Sequence, residues 1–261
     1  MVQMVHATAT DHAISALGLP DAALVGRAIP KKLLLEQAAS ARGDKALIRD
    51  GLGGLDWVAA LKSGNCGVPI FRNPQREYLE IAVLAARVRE GFSTARLVEL
   101  IHRAVPYPVL LFAEHSGALE VSLAHKRDAQ GGAGKAVLNG EIVRAQLAPP
   151  AHAGSEAEAE YLAGLALAEQ PREHLFALYQ SWTLRTEALA AARVSGRFAL
   201  AASPDHAAAR RAALAEHAQL AKRLADLHAA AKKERQVARL AELNLTIQRL
   251  RADLARAEAQ L

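Results

Sequence analysis

Leu240, Leu243, Ile247, Leu250, Leu254, Ala257 and Leu261 recur at alternating steps of three and four residues at the end of this chain. On an α-helix that spacing lays every member along one stripe, and such a stripe leaves water only when a second helix covers it. The seam therefore predicts a coiled-coil-like element over about 236–261 that docks the chain's own helices or another protein. A second apolar run, Leu214, Leu220, Leu224 and Leu227, precedes it out of phase: carried backward from Leu240 the seam lands on Gln236 and Lys233, whereas Leu227 plus four is Ala231. A register break near 231–236 follows. Two arrangements satisfy it, an antiparallel hairpin within the chain or a continuous helix paired with a second chain. The break permits a reversal, although no Gly or Pro marks a turn there.

Composition changes near residue 149, where Pro149-Pro150 precedes Ala-His-Ala-Gly. Before it, β-branched residues, Gly and Pro are mixed; after it, Ala, Leu, Arg and Glu dominate and strand signals vanish. Two regions are predicted: an α+β domain over 1–149, with a mainly antiparallel sheet and flanking helices, and an all-helical region over 150–261 with its coiled-coil-like end. In the first, 11–17 reads as a short helix capped by Thr10 or Asp11, and 30–39 as a helix opened by Pro30. Lys31 and Lys32 in its first turn oppose the helix dipole. Period-two patterning predicts strands at 51–61 and 77–88, a helix over 93–104 capped by Ser93, and strands at 108–114, 118–126 and 135–147. His115-Ser116-Gly117 reads as a hairpin turn, 130–134 as a loop, and Val105-Pro106-Tyr107-Pro108 as a rigid, partly buried entry into a central strand. In the second region, Ser155, Pro171 and Ser203-Pro204-Asp205 each open a helix.

The chemistry of the chain is sparse. A single cysteine, Cys66, excludes an intramolecular disulfide and a multi-cysteine zinc site, which suits a reducing cytoplasm. No signal peptide or membrane span is predicted, since no basic cluster precedes an apolar run at the start and no window of 18 uncharged apolar residues occurs. There is no Walker loop and no nucleophile elbow, and no His-x-x-x-His pair has a neighbouring carboxylate, so no cofactor or metal is expected. Gly51, Gly53 and Gly54 lack the dinucleotide spacing and read as a turn.

One acidic constellation remains: Asp56 on one strand, Glu77 and Glu80 on the next, and Lys126 after a later one. Acids on adjacent strands with a lysine nearby are what a magnesium-dependent nuclease uses to hold metal and position water. That chemistry usually sets the lysine two residues after the second acid, where this chain has Ala82. Solvated carboxylates on a half-exposed sheet explain the same residues.

The net charge of +5 permits an acidic partner, and the excess lies in the last helical segment, with eleven Lys or Arg against five Asp or Glu over 207–256. Lys222, Arg223, Lys232, Lys233, Arg235 and Arg239 surround the register break. Such a stripe suits nonspecific phosphate tracking on nucleic acid, or simply a solvated outer helix face. Aromatic residues for base stacking are absent from the segment.

The order of Ile29-Pro30-Lys31-Lys32, the Trp57 strand, the Glu80-Ile81 strand, Val105-Pro106-Tyr107-Pro108, His125-Lys126, Gln236 and Glu242-Leu243-Asn244 before Leu250 resembles the bacterial domain-of-unknown-function family numbered 4391, from about residue 20 to the end. Members of that family are often encoded beside a helicase and a DNA methyltransferase, in loci resembling restriction or anti-phage systems. The resemblance implies an accessory or adaptor role, with a helicase, a methyltransferase or a second copy as partner, and assigns no catalytic residue. Leu240, Leu243, Ile247, Leu250 and Leu254 are then the expected docking residues, and the alternative is a nuclease-like effector built on Asp56, Glu77, Glu80 and Lys126.

Overall fold

A computed structural model describes residues 8–37, 41–129, 136–147 and 155–261, and within them the chain forms two compact units, residues 1–189 and 190–261. The predicted α+β class holds: a mainly antiparallel sheet with helices comes first, and helices alone follow. Strands end at Leu147, close to the compositional change, but the compact units divide later, because the first helices after it belong with the sheet. The residues around Pro149-Pro150, the loop at 130–134 and the end of the helix predicted to reach Ala39 lie outside the described residues.

The first unit is organised by six strands: β1 (Leu24–Ala28), β2 (Leu52–Lys62), β5 (Glu80–Val88), β6 (Val109–His115), β7 (Ala118–Ala124) and β10 (Val143–Leu147). They stand in the order β1-β2-β5-β6-β7-β10, and every neighbouring pair is antiparallel except β5 and β6. That one parallel pair requires a crossover, supplied by a helix at Thr94–Ala104, α5 in chain order. Ser93 caps it as predicted, and Leu97, Leu100 and Ile101 enter the core against Leu84, Leu111 and Ala113. β5 and β6 are covered on both faces, so Ile81, Val83, Leu110 and Phe112 are as fully buried as their alternating neighbours. Ser116 and Gly117 both take positive φ, as a two-residue turn between twisted strands demands.

Around this sheet lie α1 (Ala9–Ala16), α2 (Lys31–Gln37), α3 (Arg42–Ala46) and α4 (Ser63–Cys66), followed later by α6 (Glu156–Ala163) and α7 (Leu175–Ser195). The cap of α1 is Thr8 and neither Thr10 nor Asp11, because Asp11 sits at the third helical position, where its carboxylate accepts the Thr8 N–H. Lys31 and Lys32 each find a partner that eases the dipole conflict: Lys31 donates to the Arg49 carbonyl outside the helix, and Lys32 pairs with Glu36 one turn on in the same helix. α7 begins at Leu175 and not at Pro171, since the His174 ring accepts the Ala177 N–H and so serves as the cap. Tyr179 on this helix donates to the Val109 and Ala124 carbonyls and accepts the Ala124 N–H, tying α7 to the starting end of β6 and the finishing end of β7.

Three local readings change. The strand expected over 77–88 is broken by a bend, so that β3 (Phe71–Asn73) and β4 (Arg76–Tyr78) form a separate hairpin carrying Glu77. The Asn73 side chain accepts the N–H groups of Gln75 and Arg76 and fixes that turn. The strand expected over 135–147 is likewise two pieces among the described residues, β9 (Ala136–Leu138), paired with β8 (Lys126–Asp128), and β10. Gly53 and Gly54 are not a turn; they lie inside β2, where the Arg87 guanidinium crosses the space a side chain at Gly54 would need.

Candidate functional site

In the second unit, Ser203 caps α8 (Pro204–Ala231), with Pro204 at its first position, and α9 (Val237–Glu258) follows after five residues. Leu220, Leu224 and Leu227 of α8 pack with Leu250, Leu254 and Ala257 of α9. A connection of five residues cannot run back along α8, so two helices in contact along their lengths must be antiparallel. The register break is thus a true reversal. Glu234 shapes it: its carboxylate accepts the N–H groups of Arg235 and Gln236, which holds its pKa below the ordinary glutamate value.

Burial along the seam is uneven. Ile247, Leu250 and Ala257 are buried, while Leu240, Leu243, Leu254 and Leu261 are only partly covered. Lys222, Arg223, Lys232, Lys233, Arg235 and Arg239 are all exposed, and among the described residues none of the six forms an ion pair. Residues 190–261 hold 13 Lys and Arg against 7 Asp and Glu, whereas residues 1–189 hold 19 against 20. The positive charge of the chain is therefore a property of the helical unit, concentrated around its turn.

The acidic constellation is dispersed. Asp56 lies opposite Ala85 and pairs with Arg87 at 3.2 Å; Glu80 lies opposite Lys62 and pairs with it at 3.0 Å. Six steps along β2, from Asp56 to Lys62, separate those two rows, about 20 Å at the rise of an extended strand. Glu77 pairs with Arg72 across the small hairpin. Lys126 is buried and donates from Nζ to the carbonyls of His102 and Val105, the last turn and C-cap of α5. It thereby closes a helix C-terminus, where a cation is favoured by the dipole and by the free carbonyls. Burial lowers its pKa to about 8. The neighbouring His102 is fully buried, with Nε2 3.0 Å from Ser122 Oγ, and burial first, then the charges of Lys126 and Arg144, lower its pKa to about 3. No three His, Cys, Asp or Glu residues among those described come together in a metal-holding group.

A cleft of about 620 Å³ that the sequence did not suggest opens beside α5, lined by Ser93, Arg96, Glu99, Arg103, Glu141 and Arg144. Its cations are occupied: Arg96 grips Asp44 in bidentate fashion and also reaches Glu99, Arg103 reaches Glu99, and Arg144 bonds the Ala95 carbonyl beside Glu120. The only sequence sign was the Arg96, Glu99, Arg103 spacing on one helix face.

Fold and surface together define a mixed α+β protein with a basic helical hairpin, and among the described residues no helix is long and apolar enough to cross a membrane. Over residues 17–254 the chain matches the family described as a domain of unknown function (DUF4391). It belongs to that family. No curated protein and no solved structure matches it.

Proposed function

We propose that this chain is a cytoplasmic, non-catalytic accessory protein of a bacterial DNA-processing system of the restriction or anti-phage kind, docking a helicase, a DNA methyltransferase or another partner through its C-terminal helices. The observation that carries this reading is the contrast in how charge is used. The residues best suited to catalysis, Asp56, Glu77, Glu80 and Lys126, are each held by a different partner in the first unit. Six cations of the second unit, Lys222 and Arg223 on α8 and Lys232, Lys233, Arg235 and Arg239 around the hairpin turn, are left open to solvent. Unpaired, exposed cations contribute little to their own fold, and they favour association with an acidic surface.

Those cations also support a second reading, in which the hairpin contacts nucleic-acid phosphates. Residues 199–261 contain no Phe, Tyr or Trp, so such binding would be nonspecific, without base stacking, and would weaken steeply with salt. The test is co-purification with any helicase or DNA methyltransferase encoded beside this chain, at moderate salt and after nuclease treatment. A stoichiometric complex that is lost on reversing Lys232, Lys233, Arg235 and Arg239 to Glu supports docking by the hairpin. Metal-dependent cleavage of supercoiled DNA by the purified chain, abolished by Glu80→Ala, would replace it with the nuclease-like reading.

A further inference from the structure

Val237 is 82% exposed, the highest value among the large exposed apolar side chains described, and it opens α9. It stands three residues before Leu240, which extends the apolar seam by one more step toward the turn. Ile247, Leu250 and Ala257 are closed against water and Leu254 packs half-covered beside them, whereas at the turn end Leu240 and Leu243 are half-covered and Val237 is open. Around this open end project Lys232, Lys233, Arg235 and Arg239, and the one acid among them, Glu234, is turned onto backbone N–H groups.

We infer that the start of α9 docks an acidic amphipathic helix of a partner protein, whose apolar side chains cover Val237, Leu240 and Leu243 and whose carboxylates meet Lys232, Lys233, Arg235 and Arg239. The inference rests on the adaptor reading and gives its partner a chemistry. Charge complementarity selects the occupant. A second copy of this chain, docked symmetrically on the same patch, would oppose four cations to four cations, which is costly at an interface. A nucleic-acid phosphate answers the cations but leaves Val237 in water and has no aromatic ring to stack on. A helix with one apolar and one acidic face satisfies both, in the helix-on-helix mode by which apolar anchors at steps of three and four are read.

The probe is a fluorescein-labelled synthetic peptide of about 18 residues, with Leu at helical spacing on one face and Glu on the other, followed by anisotropy with the full chain. Its scrambled isomer, a DNA duplex and light scattering of the chain alone run beside it. The amphipathic peptide is expected to bind about tenfold or more tightly than the scramble, and to lose about tenfold both in Val237→Ser and in the Lys232→Glu, Lys233→Glu pair. Val237 is exposed, so its change leaves the hairpin folded, and an unchanged helical circular dichroism signal checks this. Binding indifferent to Val237→Ser, or equal for both peptides, overturns the inference. Duplex binding lost on charge reversal but untouched by Val237→Ser reassigns the patch to phosphate, and a doubled mass reassigns it to a second copy. A cognate partner that co-purifies equally well with Val237→Ser defeats this inference alone. Peptide binding with no co-purifying partner defeats the adaptor reading and leaves the surface standing.

Discussion

The two units treat their charges in opposite ways. In the sheet unit Lys62, Arg72, Arg87, Arg96, Arg103 and Arg144 each face a carboxylate of the same unit, and the total is nearly balanced. In the helical unit Lys222, Arg223 and the four cations around the turn are exposed and form no ion pair among the described residues. A carboxylate already answered by a guanidinium is poorly placed to hold metal or move a proton, and a cation without an internal answer can be answered from outside. Partnering, more than residue type, separates the part of this molecule built to stand from the part built to meet something.

The contrast can be broken most forcefully in the hairpin. Ile247→Asp with Leu250→Asp buries two charges between α8 and α9, so a loss of about 4 kcal/mol or more is expected there. Hydrogen exchange over 204–258 should rise while that of β5 and β6 stays slow; protection lost in both would mean that the units are not separate. Leu84→Ala is the complementary cut, expected to cost about 3 kcal/mol in urea melts, because Leu84 is fully buried beneath α5.

Acid should act on the sheet unit through His102. His102 keeps a pKa of about 3 when folded, whereas the unfolded chain takes up that proton near the ordinary histidine value of about 6.5. Between those values the unfolded state holds one more proton, so stability falls as pH falls, by about 1.4 kcal/mol for each unit. His102→Leu should remove that part of the slope, and a parallel pH profile for wild type and variant would refute it. The smallest effects separate paired from unpaired cations. Arg96→Ala should lower the thermal midpoint slightly, since its pairs with Asp44 and Glu99 are partly exposed, whereas Lys232→Ala with Lys233→Ala should leave it unchanged. Equal losses in thermal melts would erase the distinction on which the comparison rests.

Much of this was legible in the residues. The seam residues from Leu240 to Ala257, the break before them, and the caps Ser93, Ser155 and Ser203 are local patterns that folding keeps, whereas the cap read at Thr10 or Asp11 falls on Thr8 and the helix read from Pro171 starts at Leu175. β1 was not legible: it has five residues, four of them exposed, and Gly26 at φ +59 distorts its register, so no alternation announces it. The β3–β4 hairpin escaped notice because Phe71–Tyr78 is mostly polar and its turn is made by the Asn73 side chain accepting backbone N–H groups, not by a glycine. The fate of the candidate acids was illegible for a different reason. Asp56 with Arg87 is a cross-strand partnership, and Arg96 with Asp44 spans 52 residues, so neither leaves a spacing to find.

The lone parallel contact in the sheet has a consequence for the order in which the first unit forms. β1, β2 and β5 make one antiparallel block and β6, β7 and β10 another, and only the ladder from Ala82 and Val109 to Val88 and His115 joins them. The β6–β7 hairpin closes through a two-residue turn and can form within microseconds, whereas the joining ladder waits on a crossover through α5. Loop-closure entropy makes that junction the slow step, and α5 the element whose formation lets the two halves meet. The helix that packs the core is also the clock of the sheet's assembly.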